Sequence, residues 1–459
     1  MTDDCHRNTK YHDPQRESAK GAALSPRAYM WGHRAEFQMK HALTSITLLS
    51  MLLLAACSAS DGGASGPTSA SAKNLTFWYT EDPTHAKALL ALVDTFNSNH
   101  TDIHVTPQAV DPFTLHDKFA AAANAGTAAP DIIEMNSLWT TEFASKKYIL
   151  SLDGKVGNTS DVLPVALSYS SYNSQLYSLP QTIDFLAMYY NKALLQNANI
   201  STPPTTMTEM RTDAQALTTG TGQYGFATAG TSAFILPFLY AEGGELLSTD
   251  GHTVEVNSNS AVRGFSDLLT LISDGSVASI DPQNGYDTMD NNFKSGKAAI
   301  IFNGAGQVKD LLSGSAFSGG HAADFGVAAI PMGASGDLPR SPASGQSLAI
   351  YSGTPHHDEA ATFLTYIDSS ASQLALTKAN GTLPTRSAPL ASTDVTNNPA
   401  LGYFASLTAS AKARTVTAVD QRLFTAFDTD INKALLGRQT AKAALDQVAK
   451  DWKTILGTP

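Results

Sequence analysis

The feature that most constrains this chain is an alternation of short apolar runs with helix-spaced stretches between residues 75 and 135. Leu75-Thr76-Phe77-Trp78-Tyr79 is an apolar and aromatic run suited to a buried strand. Ala86, Leu89, Leu90, Val93 and Phe96 then recur at helical spacing, and Ile103-His104-Val105 reads as a second strand. Leu115, Phe119 and Ala122 mark a second helix, and after Pro130 the run Asp131-Ile132-Ile133-Glu134-Met135 reads as a third strand. Strands alternating with helices of this length indicate parallel pairing, so an α/β fold is expected. In such sheets ligands sit beyond the carboxyl ends of strands, which directs attention to residues 78–82 and 136–139.

Downstream, residues 183–191 form a long apolar run expected as one central strand. Pro203-Pro204 separates it from a helix at 207–217, and further helices are expected at 231–241 and 262–272. Strand candidates lie at 224–227, 298–302, 325–329 and 347–351. The rest is mainly helical, at 357–367, 373–379, 419–436 and 441–456, with Gly437 and Thr440 as stop and cap signals. With 459 residues, 42% of them hydrophobic, the chain is too long for one core, and two or more packed lobes are expected. No fixed-period repeat points to a solenoid or propeller.

The apolar run at 42–57 follows Lys40 and His41 and ends Leu54-Ala55-Ala56-Cys57. It is shorter than the roughly 20 residues a bilayer core needs and lacks a basic flank after it, so it reads as a signal peptide. It resembles the bacterial lipobox, in which the cysteine is lipidated and becomes the new N-terminus. Residues 1–38 are polar and without periodicity, and the true start is expected at Met39. Residues 57–73 are rich in Ser, Ala, Gly and Thr and are expected to form a flexible tether. Cys5 and Cys57 are the two cysteines, which excludes a disulfide framework and a Cys-rich zinc site. A net charge of −11 makes nucleic acid a poor partner.

Catalytic motifs are weak. Gly220-Thr221-Gly222-Gln223-Tyr224-Gly225 has dinucleotide-site spacing, but a helix precedes it and a strand follows, the reverse of what such a site needs. There is no nucleophile elbow, zinc-protease helix or P-loop lysine pattern. His356-His357 is adjacent and sits at a helix start, not at metal-ligand spacing. No cofactor and no metal are expected. The strand ends do offer aromatic rings, amides and carboxylates, a set suited to a polyhydroxylated ligand whose C–H faces stack on rings.

The chain resembles the family 1 extracellular solute-binding proteins, receptors of carbohydrate ABC importers. The resemblance runs from about Asn74 to Leu456 and rests on ordered segments. These are Pro130-Asp131-Ile132, Tyr177-Ser178-Leu179-Pro180 followed by Asp184-Phe185-Leu186-Ala187-Met188-Tyr189-Tyr190-Asn191-Lys192, and Gly243-Gly244. Gly296-Lys297-Ala298-Ala299 running into Asn303-Gly304, Ser344-Gly345-Gln346-Ser347, and Gly381-Thr382-Leu383-Pro384-Thr385-Arg386 complete the series. One departure stands at Gly306, where family members often carry a tryptophan.

The resemblance implies two α/β lobes of the type II periplasmic-binding-protein kind, joined by crossings near 180–184, 299–302 and 352–355. Residues 74–182 and 300–353 would form lobe 1, and 183–299 and 354–459 lobe 2. A sugar or oligosaccharide would lie between them, held by Trp78, Glu81, Asn136, Trp139, Gln181, Asp184, Asn303, Gly304, Gly345, Gln346 and Arg386. In that set Trp78 and Trp139 would stack, and Glu81, Asp184 and Arg386 would engage hydroxyls. Gly304 and Gly345 would let backbone come close, with Phe234 as a wall of the far lobe. An exported monomer is implied, anchored at the outer face of the bacterial cytoplasmic membrane through Cys57 and partnered by ABC permease subunits. Two competing readings are a lipid-anchored glycan hydrolase and the same fold carrying a polyamine or ferric iron. Tyr189 and Tyr190, adjacent on a strand, face opposite ways and disfavour a shared metal.

Overall fold

The computed structural model describes residues 72–81, 83–220, 222–282, 284–334 and 340–458. Cys57, the signal peptide and nearly all of the tether lie outside them, as does Asp82.

Three strands near the amino terminus, β1 (Lys73–Tyr79), β2 (Ile103–Ala109) and β3 (Ile132–Asn136), pair in parallel with β1 in the middle. Helices Ala86–Asn99 and Leu115–Ala125 connect them, where the apolar spacing placed them. A hairpin of β4 (Ser171–Tyr172) and β5 (Gln175–Leu176) follows, then β6 (Leu179–Pro180). The run at 183–191 is two strands, β7 (Thr182–Phe185) and β8 (Ala187–Asn191), which belong to different sheets. The break falls at Leu186, whose N–H leaves the ladder and donates to Ser341 Oγ at 2.6 Å.

Next come β9 (Tyr224–Phe226), β10 (Ala298–Asn303), β11 (Phe325–Ala328), β12 (Ser341–Ser344), β13 (Gln346–Ile350), β14 (Leu383–Pro384) and β15 (Ala411–Lys412). The first sheet runs β2-β1-β3-β13-β6, the second β11-β8-β10-β9, and a third, β14-β7-β12-β15, lies at the crossings between them. β10 is buried at all six positions, as expected of a strand covered on both faces.

The first sheet is covered on one face by helices Ala86–Asn99, His357–Ile367 and Ser370–Asn380, and on the other by Leu115–Ala125 and Thr140–Ser145. The second lobe packs helices Ser232–Ala241, Asn259–Ser273, Asp420–Leu435 and Ala441–Leu456 around β8 and β10. Gly264 allows two of these helices to touch, since a Cβ there would lie 2.1 Å from Phe238 O. Each fully buried Phe, such as Phe226, Phe238 or Phe265, contributes roughly 1.5–3 kcal/mol by leaving water.

The expected lobe boundaries need correction. Within residues 300–328 the strands β10 and β11 both pair with β8, so this segment completes the second lobe, not the first. Helices His357–Ile367 and Ser370–Asn380 pack on β13 and the helix Ala86–Asn99, so they complete the first. The crossings expected at 299–302 and 352–355 are instead at β12, near 341–345, and at β14. At 180–184 the chain enters β7, which pairs with β12 and β14 in the third sheet.

Candidate functional site

The first-sheet strands β1 and β3 end, and β13 begins, where the chain passes between lobes. Gln346 lies opposite Asn136, and its backbone carbonyl accepts from Gln181 N–H at 2.8 Å while its N–H donates to Thr182 Oγ1 at 3.1 Å. Glu81, Asn136, Asp184 and Gln346 are partly exposed here. Gln181 is 2% exposed, with its amide oxygen unpartnered beside Glu134. Glu134 is fully buried and accepts from Thr80 N–H at 2.9 Å; burial pushes its carboxyl up to about 6, against the opposing pull of Thr80.

On the second-lobe side Asp184 faces Gly304. Burial pushes the Asp184 carboxyl up to about 7, although the N–H groups of Ala305 and Phe185 favour its charged form. Behind it stands a network that sequence reasoning missed. Asn303 is fully buried; its amide donates to Asp290 Oδ1 at 2.7 Å and its oxygen accepts from Gly304 N–H at 2.8 Å. Tyr189 donates its hydroxyl to Gly304 O at 2.8 Å, and Tyr286, its ring centroid 5.8 Å from that of Phe234, donates its hydroxyl to Asn303 Oδ1 at 3.4 Å. Asp290, likewise pushed by burial up to about 7, sits on the buried stripe of helix Gly285–Lys294 with Met289 and Phe293. Its place on that stripe was the available signal.

Several expected contacts serve the protein instead. Trp78 is 6% exposed; its indole N–H donates to Gln108 Oε1 at 3.1 Å and Lys118 Nζ lies 4.3 Å over its ring. Trp139 is packed edge-on to His116 at 5.1 Å and against Phe143. Neither ring is free to stack on a ligand in this conformation. Asn303 is consumed by Asp290 and the Gly304 backbone. Gly304 leaves room for Asp184. Gly345 lets the strands cross, since a Cβ there would lie 2.0 Å from Thr182 O. Arg386 is a brace away from this floor: Nη2 donates to Asp368 Oδ2 at 2.6 Å, Nε to Asp368 O at 2.8 Å, and Nη1 to Asn158 O at 3.0 Å and to Asp161. Phe234 is a buried wall, 3% exposed.

His116 and Glu142 form a second unexpected pair, His116 Nε2 lying 3.0 Å from Glu142 Oε2 and Nδ1 2.8 Å from Asp117. Burial opposes the charged ring, but the two carboxylates outweigh it and raise the His116 pKa. Among the described residues no group of three or more His, Cys, Asp or Glu could hold a metal.

A cavity of about 1050 Å³ opens at the opposite, β15 edge of the crossing sheet. Ser168, Ser171 and Tyr172 line one side, and Tyr240, Glu245 and His252 the other. None of the residues expected to touch ligand borders it. At the Asp184 edge, by contrast, a Cβ on Gly306 would meet nothing closer than Thr382 Cγ2 at 4.0 Å, so a side chain could begin there without a clash.

Residues 82–374 match the family model described as bacterial extracellular solute-binding protein. A binding protein of Brucella abortus is 24% identical over 419 residues, 89% of this chain and 97% of its own length. The GacH receptor of Streptomyces glaucescens, solved unliganded and with acarbose, is 30% identical, with a TM-score of 0.77 over 84% of this chain and 99% of its own. A cyclic α-maltosyl-1,6-maltose-binding protein of Arthrobacter globiformis shares the fold at 24% identity and a TM-score of 0.73, over 84% and 99% of the two chains.

Proposed function

The chain belongs to the bacterial extracellular solute-binding proteins, and from that premise we propose that it captures a sugar or oligosaccharide between its lobes and delivers it to an ABC permease. The observation that carries this reading is the junction at Asp184. There the crossing strands of both lobes bring together the partly exposed residues Asp184, Asn136 and Gln346, beside Gly306, where a side chain could begin without a clash. The similarity to a receptor solved with acarbose supports a carbohydrate at that junction. Hydroxyls would replace their lost hydration with bonds to Glu81, Asn136, Asp184 and Gln346 as the lobes close. A hinge sheet of four short strands suits such a closure, which turns occupancy into a shape a membrane partner reads. Lipidation at Cys57 would hold the body at the outer face of the membrane.

No bond in the ligand is broken, so chromogenic glycosides should pass unaltered. The direct test is thermal-shift and calorimetric screening of the mature body against mono- and oligosaccharides, acarbose included. A bound sugar must raise the melting temperature by mass action. Binding of a polyamine or ferric ion in place of every sugar would overturn the reading.

A further inference from the structure

We propose that Phe113 is an outer stacking platform that grips a distal ring of an extended oligosaccharide and so sets the preference for ligand length. The inference rests on the carbohydrate reading above and deepens it.

Phe113 is 54% exposed, more than any other large apolar side chain among the described residues. Exposure alone would say little, because single exposed apolar groups are ordinary. Its setting says more. The segment after β2 remains tied to β1, since Val110 N–H donates to Tyr79 O at 2.9 Å. Asp111 then closes a turn, its Oδ1 accepting from Phe113 N–H at 2.9 Å and its carbonyl from Leu115 N–H at 3.0 Å. Leu115 and Phe119, in the helix that follows, are fully buried and anchor the turn from below. The ring is therefore held out by a fixed backbone at the carboxyl ends of β1 and β2, the rim that also carries Glu81.

The same rim holds two larger rings that cannot do this work. Trp78 and Trp139 are packed with Ile133, Met135 and Phe143 in one core cluster, and one face of Trp78 is taken by Lys118. Stacking on a sugar needs a ring with an open face. At this rim Phe113 offers one.

Position supplies the length argument. In the order β2-β1-β3-β13, two strand spacings separate β2 from β3, about 10 Å. A ligand reaching from Asn136 at the end of β3 to Phe113 beyond β2 must span that distance, more than one sugar ring covers.

The test is calorimetry of wild type, Phe113→Ala and Phe113→Tyr with maltose, maltotriose and maltohexaose. Loss of one stacked ring is expected to weaken maltohexaose binding by roughly 3- to 10-fold in the alanine variant while leaving maltose within twofold, and tyrosine should restore it. Equal affinities for alanine variant and wild type at every length, or an equal loss at every length, would overturn the proposal while leaving the carbohydrate reading intact. If wild type binds none of these sugars nor any other carbohydrate, the functional reading fails first and this inference falls with it.

Discussion

A Cβ on residue 304 would lie 2.5 Å from Oδ1 of Asp184, so the carboxylate occupies the space that a side chain at this position would need. Gly304→Ala must therefore push Asp184 aside. On the carbohydrate reading proposed above, losing that hydrogen-bonding partner should weaken ligand binding roughly tenfold or more. In an Asp184→Ala background the same glycine substitution should cost almost nothing further, because the clash is gone. Additive losses in that double-mutant cycle, measured by calorimetry, would refute the relationship.

Gly306 invites the opposite change. With nothing nearer than 4.0 Å to its missing Cβ, Gly306→Trp should fold with a stability change of about 1 kcal/mol or less. The added ring should tighten sugar binding by roughly 2- to 10-fold. Unfolding of the variant in denaturant far below wild type would show that the space is not open.

Arg386 should matter for stability and not for binding. Asp368, with a side chain 1% exposed, is paired to it, and Arg386→Ala would leave that carboxylate buried without its countercharge, held by the Gln373 amide at 2.7 Å. A loss of about 3–5 kcal/mol in urea unfolding is expected, with sugar affinity of the folded fraction within about twofold. A selective loss of affinity would return Arg386 to the ligand site.

Stability without ligand should fall between pH 5 and pH 8. Burial pushes Asp184 and Asp290 up to about 7 and Asp428 up to about 8. Below the unfolded values, near 4, both states hold these protons. Between those values and the folded ones only the folded state holds them, so stability falls with rising pH across that interval and levels off above about 7 to 8. His116, its pKa also raised, acts in the same direction. Carboxyls held low, such as Glu142, are already ionised by pH 5. Urea midpoints at pH 5, 6.5 and 8 check the trend, and Asp428→Asn should remove up to about one proton from the slope. A midpoint that climbs across this window would contradict it.

Helices and strands were legible because their signals are local. The Thr206 cap and Glu209 close a capping box at the start of helix Met207–Leu217, and the Gly222 segment is the turn into β9 that its flanks implied. What was not legible depends on distant partners. Nothing within residues 183–191 announces that Leu186 ends one sheet and Ala187 opens another, since the cause is Ser341. The placement of β10 in the second lobe follows from its pairing with β8, more than a hundred residues earlier. Asp184, Asn136 and Gln346 do gather at the crossings, whereas the fates of Trp78, Trp139 and Arg386 were set by Lys118, His116 and Asp368, neighbours invisible to residue type and spacing.

The strand β13 fills the gap between β3 and β6, yet it comes from residues 346–350. A polypeptide leaving the ribosome amino end first therefore carries a half-built sheet, with two unsatisfied edges, until most of its length has emerged. Such long-range closure is intrinsically slow. The nascent molecule thus cannot lock this sheet into shape before that late strand arrives.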